Sequence, residues 1–126
     1  MKLASIAIAV VLSVAANLAL ALDIKPYSPE ALAEAKAAGK PVALHFHADW
    51  CPTCRAQAKV FDSLKDDKSL PVTILVANYD RERELKQKLG VRTQSTLIVY
   101  RGDAEKARLA GETAAEKLKA ALRAAL

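Results

Sequence analysis

The chain has 126 residues, 52% of them hydrophobic, 26% charged and only 5% aromatic, with a formal net charge of +5. That length gives one domain with room for a modest core. Its basic residues are mixed with acids, as in DRERELKQK, and no basic stripe alternates with aromatics, which leaves nucleic acid outside the expected partners.

The first segment, MKLASIAIAVVLSVAANLALAL, carries Lys2 as its only charge. One basic residue, an apolar run and the small-x-small end Ala19-Leu20-Ala21 predict a secretory signal peptide over residues 1–21, cleaved after Ala21. The run from Leu3 to Leu22 has a second reading. Its 20 residues match the length that spans a bilayer, which would leave an uncleaved protein anchored in the membrane. Ser5, Ser13 and Asn17 weaken such a span, and the small residues before Leu22 favour cleavage. No cysteine lies near the junction, so lipid attachment is not indicated. The expectation is a periplasmic or secreted domain over residues 22–126, with no stable membrane span once the leader is removed. Taking 21 residues from 126 leaves 105, and loss of Lys2 leaves a charge of +4. Both cysteines, Cys51 and Cys54, stay in the exported part, where disulfides persist.

Ser28-Pro29-Glu30 reads as a helix start, with Ser28 as N-cap and Pro29 in the first turn, and Gly39 should end that helix. PVALHFH (41–47) reads as a strand with Val42, Leu44 and Phe46 on one face and Ala43, His45 and His47 on the other. A second helix is expected from Cys51-Pro52 to about Lys65, with Ala58, Phe61 and Leu64 as its apolar stripe. VTILVAN (72–78) does not alternate, which suits a strand covered on both faces. Asp80 is the expected cap of a third helix, RERELKQKL, that ends at Gly90. TLIVYR (96–101), the turn Gly102-Asp103 and EKARLA read as a hairpin. Thr113-Ala114-Ala115-Glu116 has the pattern of a capping box before a last amphipathic helix that carries Leu118, Leu122 and Ala125. Strands that alternate with helices and then close with a hairpin predict an α/β domain, a central mixed sheet flanked by helices.

The stretch HFHADWCPTC (45–54) carries the chemistry. A thiol at a helix N-terminus meets the positive end of the helix dipole and unpaired N–H groups, which favour the thiolate. A Cys-x-x-Cys pair lowers the first thiol's pKa further. Cys51 is therefore expected at the exposed end as the attacking thiol, with Cys54 pointing inward to resolve the mixed disulfide.

ADWCPTC after an apolar strand, GVRTQSTLIVY further on and Gly111 before the last helix resemble the thioredoxin superfamily. From Asp80 to Gly111 the spacing matches thioredoxin without a gap, and the lead-in GKPVALHFHADWC is similar to exported thioredoxin-like proteins and periplasmic thiol-reductase domains. The resemblance implies a thioredoxin fold and thiol–disulfide exchange with protein substrates, served by a redox partner that supplies or removes electrons, without a cofactor. By position it gives the nucleophile to Cys51 and the resolving thiol to Cys54. It also implies a substrate-binding face made of Trp50, Pro52, Thr53 and the loop Gln94-Ser95-Thr96.

Three positions depart from the family pattern. His45 stands six residues before Cys51, where the family commonly has a buried Asp that moves protons for the second cysteine. A functional reading makes His45 a proton acceptor; a plain one makes it a hydrogen-bonded core residue. His47 stands where thioredoxin has Trp, and the plain reading is preferred there. Ser95 replaces the family's signature proline, usually cis and facing the pair. A cis bond before a non-proline costs about 2.5–4 kcal/mol, so the Gln94–Ser95 bond is expected to be trans. The leading expectation is an exported oxidoreductase, tilted by its lead-in towards a reductase or isomerase. An alternative is a metal-binding protein for zinc or copper, using Cys51, Cys54 and His45 or His47. A third is a scaffold with a structural disulfide.

Overall fold

The structure, a computed structural model, describes residues 21–126. The predicted leader therefore lies, but for Ala21, outside the described residues. The elements run β1 (Asp23–Pro26), α1 (Pro29–Ala37), β2 (Pro41–His47), α2 (Pro52–Leu64), β3 (Thr73–Asn78), α3 (Arg83–Leu89), β4 (Thr96–Arg101), β5 (Ala104–Ala110) and α4 (Ala115–Arg123). The five strands form one sheet in the order β1-β3-β2-β4-β5. β1 and β2 each pair parallel with β3, while β4 pairs antiparallel with β2 and β5. The mixed sheet between helices is the expected architecture.

β2 is the central strand, and its alternation divides the core. Val42, Leu44 and Phe46 join Leu32 of α1, with Leu85 and Leu89 of α3 packed against them. Ala43 faces the other way, among Phe61 of α2 and Leu118 and Leu122 of α4. α1 and α3 thus cover one face of the sheet, and α2 and α4 the other. β3 contributes Ile74 to one side and Leu75 and Ala77 to the other, so it is covered on both faces as its lack of alternation predicts. Leu22, just before β1, is 1% exposed and belongs to the α2/α4 side of the core.

Most predicted ends are in place. The Ser28 hydroxyl accepts the Ala31 N–H at 3.0 Å. Gly39 and Gly90, with φ of +64° and +67°, end their helices in the left-handed conformation that glycine adopts without a steric penalty. Three details differ. β1 is not among the elements read from the sequence; its four residues end in Pro26, and it pairs on one side only, at a sheet edge where proline is tolerated. Asp80 does not cap α3. That helix begins at Arg83 without a side-chain cap, and the Asn78 side chain accepts from the Asp80 and Arg81 N–H groups instead. The Thr113 capping box does not form either: the Glu112 carboxylate accepts from the Thr113 and Ala114 N–H groups ahead of α4.

Candidate active site

β2 ends at His47, the chain turns through Ala48-Asp49-Trp50, and α2 opens with Cys51 as its N-cap residue and Pro52 in the first turn. The Cys51 sulfur itself caps the helix: Cys54 N–H donates to it at 3.1 Å. A thiolate there satisfies an orphan backbone donor and faces the positive end of the helix. Cys54 lies one turn on, on the stripe of α2 that faces the sheet. Both cysteines are free thiols. Cys51 is only 2% exposed and Cys54 fully buried, which corrects the expectation of an exposed Cys51. The pair packs with Ala48 and Tyr79.

The loop before β4 completes the pair's surroundings. Ser95 Oγ lies 3.3 Å from Cys51 Sγ and 3.1 Å from Cys54 Sγ. The bond before Ser95 is trans, as expected, and Ser95 takes a φ of +65°, in the left-handed region that non-glycine residues seldom occupy. Its backbone is held on both sides. Ser95 N–H donates to Phe46 O at 3.0 Å, and Ser95 O accepts from Gly111 N–H at 3.1 Å and from Gln57 Nε2 at 3.0 Å.

Gln57 has no exposed surface and links four segments. Its Nε2 donates to Ser95 O and, at 2.8 Å, to Glu112 O, so its Oε1 must face His45 Nε2 at 2.9 Å. With both amide hydrogens committed, the oxygen can only accept, and His45 carries its hydrogen on Nε2. Burial lowers the His45 pKa to about 4; the Gln57 bond works against that shift and His47 adds to it. His45 is a neutral donor to Gln57 at neutral pH. Among the described residues, no hydrogen bond joins it to either sulfur, and its connection to the pair runs through Gln57 and Ser95.

The two thiols move in opposite directions. Burial alone would raise the Cys51 pKa, but hydrogen bonds from the Cys54 thiol, the Ser95 hydroxyl and the Cys54 and Thr53 backbone outweigh it and hold the thiol below its ordinary value. Burial raises the Cys54 pKa, its bond to Cys51 raises it further, and Ser95 pulls it back in part. A more acidic first thiol and a less acidic second one divide the roles of attack and resolution.

Around this centre, Trp50 is 58% exposed, with its indole N–H donating to the Asp80 carboxylate at 2.8 Å, which accounts for the lost helix cap. Pro52 is exposed, and Thr53 and Gln94 are half-buried. Thr96 is buried, and its hydroxyl donates to Thr93 O at 2.8 Å. Trp50, Pro52 and Thr53 flank the pair on the α2 side and the Gln94–Thr96 loop on the other. His47 points to Asp49, 2.9 Å away, and its Nδ1 is buried without a partner. The metal reading is not favoured. Among the described residues, no three cysteine, histidine or carboxylate side chains converge as a metal site. Gln57 holds His45, and a serine hydroxyl lies between the sulfurs. Gln57 and Asp80 were not picked out as site residues from the sequence. A polar residue three positions after Cys54, on the inward stripe of α2, is the signal that identifies Gln57.

Comparison with known proteins agrees with this geometry. The thioredoxin family model matches residues 26–124. A thioredoxin of Alicyclobacillus acidocaldarius is 32% identical over 83 residues, 66% of this chain and 79% of that protein. A thioredoxin H-type of Chlamydomonas reinhardtii is 29% identical over 101 residues, 80% of this chain and 88% of that protein. Among solved structures, Trxlp from Edwardsiella tarda superposes with a TM-score of 0.74 at 35% identity, covering 79% of this chain and 98% of that one. With its CxxC pair at the start of a helix on a mixed five-stranded sheet, the chain belongs to the thioredoxin family of thiol–disulfide oxidoreductases.

Proposed function

We propose that the protein is an exported thiol–disulfide oxidoreductase that works on protein substrates in the reducing or isomerising direction. The observation that carries the exchange chemistry is Cys51 Sγ as N-cap acceptor of Cys54 N–H, at 3.1 Å, beside a resolving thiol of higher pKa. Support for the direction comes from what surrounds the thiolate. The groups that pull the Cys51 pKa down are hydrogen bonds, with no cation among them. A strong oxidant has an unusually stabilised reduced form, and no cationic group supplies that stabilisation to Cys51 here. Export is supported by the leader pattern of residues 1–21. Clients would dock over Trp50, Pro52 and Thr53 and along Gln94-Ser95-Thr96, and a separate electron donor would restore the dithiol. His45 would assist resolution through Gln57 rather than by touching sulfur.

Two measurements test this reading. A redox titration of the domain is expected to give a potential nearer thioredoxin's roughly −270 mV than the roughly −120 mV of DsbA; a value at the oxidising end overturns the direction. N-terminal sequencing of protein released by a bacterial host is expected to begin at Leu22, and an intact Met1 overturns cleavage.

A further inference from the structure

The reactive pair has two sulfurs, and one hydroxyl faces both. A serine hydroxyl has a single hydrogen to donate and two lone pairs with which to accept. At 3.3 Å from Cys51 Sγ and 3.1 Å from Cys54 Sγ, Ser95 Oγ is close enough to bond either sulfur. Its backbone does not wander. Phe46 O, Gly111 N–H and Gln57 Nε2 hold Ser95 from β2, from the start of the β5–α4 connection and from α2. Ser95 is 2% exposed, so no bulk water competes for the hydroxyl. What stays free is rotation of the O–H bond.

We infer that Ser95 is a catalytic residue whose one hydroxyl hydrogen stabilises the two thiolates of the exchange cycle in turn. The inference rests on disulfide exchange at this pair, in either direction. In the dithiol, Cys54 S–H and Ser95 O–H both donate to the Cys51 thiolate. Cys51 attacks a client disulfide: the Cys51–client S–S bond forms, the client S–S bond breaks, and its electron pair leaves on the far client sulfur. Cys51 then carries no charge and gives the hydroxyl nothing to stabilise. The O–H turns to Cys54, which releases its proton to water or to the departed client thiolate. Cys54 attacks Cys51 Sγ, the internal disulfide forms, and the second client sulfur leaves with the bonding pair. Two electrons pass from the dithiol to the client. The serine hydrogen never leaves its oxygen.

This arrangement supplies, in a neutral site, a stabilisation of the Cys54 thiolate that no carboxylate provides. The groups nearest the pair are Ser95, the backbone at Phe46 and Cys54, and the Gln57–His45 pair behind Ser95. His45 is neutral there, and its Nε2–H is occupied by Gln57.

The test uses Ser95→Ala and Ser95→Gly. The first removes the hydroxyl and keeps the Cβ. The second also accepts the positive φ without strain, so it stays informative if the alanine variant folds poorly. Each protein, reduced, is mixed with dithiobis(nitrobenzoate), an aromatic disulfide whose two halves are released in two phases, one on attack by Cys51 and one on resolution by Cys54. A lost hydrogen bond to a charged sulfur raises that thiol's pKa by about one unit, and greater nucleophilicity returns part of the rate. At about pH 6 both phases are therefore expected to slow at least roughly threefold in both variants, with the pH midpoint of each phase moved upward. A first phase that slows alone overturns the inference, since the hydroxyl then serves Cys51 only. Unchanged midpoints in both phases overturn it as well, since packing alone would explain Ser95. A wild-type protein that releases no second half would instead remove the exchange activity on which the inference rests.

Discussion

Ser95 stands where the family's proline would be, and its backbone explains why proline does not fit here. Its φ is +65°, whereas a proline ring holds φ near about −65°. Its N–H also donates to Phe46 O, a bond that proline cannot make. Ser95→Pro must therefore rebuild the loop and strand a buried carbonyl, and a loss of about 3 kcal/mol or more is expected in urea denaturation. An unchanged midpoint would mean that this loop has another conformation. The two cysteines give a second prediction at this scale. Alkylation of the reduced protein across pH should modify Cys51 first, with an apparent pKa below the free-thiol value of about 8.5. Cys54→Ala should accumulate mixed disulfides with client proteins, and Cys51→Ala should accumulate few. Labelling that reaches Cys54 first would reverse the roles. The near-complete burial of Cys51 does not oppose its reactivity, because a shielded thiolate held by N–H and O–H donors attacks whatever sulfur reaches it.

At the scale of elements, α2 ties the active site to the core. Its inward stripe runs Cys54, Gln57, Phe61, with Leu64 partly buried after them. Gln57 joins His45 of β2, the Ser95 loop and Glu112 O before α4 with three hydrogen bonds. Gln57→Leu keeps the volume and removes all three, leaving buried polar partners unpaired. A cost of about 3 kcal/mol is expected in denaturant unfolding, and the variant should show a slower resolution phase with little change in alkylation of Cys51. A loss below about 1 kcal/mol would show that water replaces the amide. The sequence announces this stripe only in part. Ala58, Phe61 and Leu64 stand out as apolar at helical spacing, yet Ala58 is half-buried and the fully buried position beside it is a glutamine. A periodicity of apolar residues passes over a polar side chain that is buried because its partners are far away in sequence. The same reason accounts for the caps. Ser28 caps α1 through a bond three residues away and is legible, whereas Asp80 is taken by Trp50, 30 residues distant, and no local pattern shows that. β1 stays hidden for a related reason, since four residues ending in proline become a strand only because β3 lies beside them.

For the whole molecule, the order of elements is legible because β2, β3 and β4 are the most apolar of the described elements and helices lie between them. What the fold does with His45 follows from that stacking and sets a pH dependence of stability. His45 is 1% exposed on the α2/α4 face of β2, against Phe61 and His47, with Gln57 as its hydrogen-bond partner. No carboxylate is among the groups that shift it, and the Gln57 bond, which favours the protonated form, does not offset burial. In the unfolded chain it titrates near about 6.5, whereas in the folded protein burial lowers that to about 4. Above the unfolded value both states are neutral and stability is complete. As pH falls from there towards the folded value, the unfolded chain gains a proton that the native state refuses, and stability falls. Below the folded value the native state binds the proton as well, and the loss levels off. Between about pH 7 and about pH 5 the expected loss is about 2 kcal/mol, roughly one proton's worth per pH unit. The lowered carboxyl pKa values of Asp67, Glu105 and Glu112 act further down, since the stability they add is present above the ordinary carboxylate range and disappears only as pH falls through and below it. Between about pH 7 and about pH 5 the His45 contribution is read by comparing urea midpoints of two proteins, since the lowered Cys51 pKa acts in both alike. His45→Gln keeps an N–H donor for Gln57 and removes the His45 titration, so its midpoint should fall clearly less over that interval than that of the native sequence. Equal slopes in the two proteins would mean that His45 is solvated enough to titrate in the fold, and that its neutral bond to Gln57 does not hold.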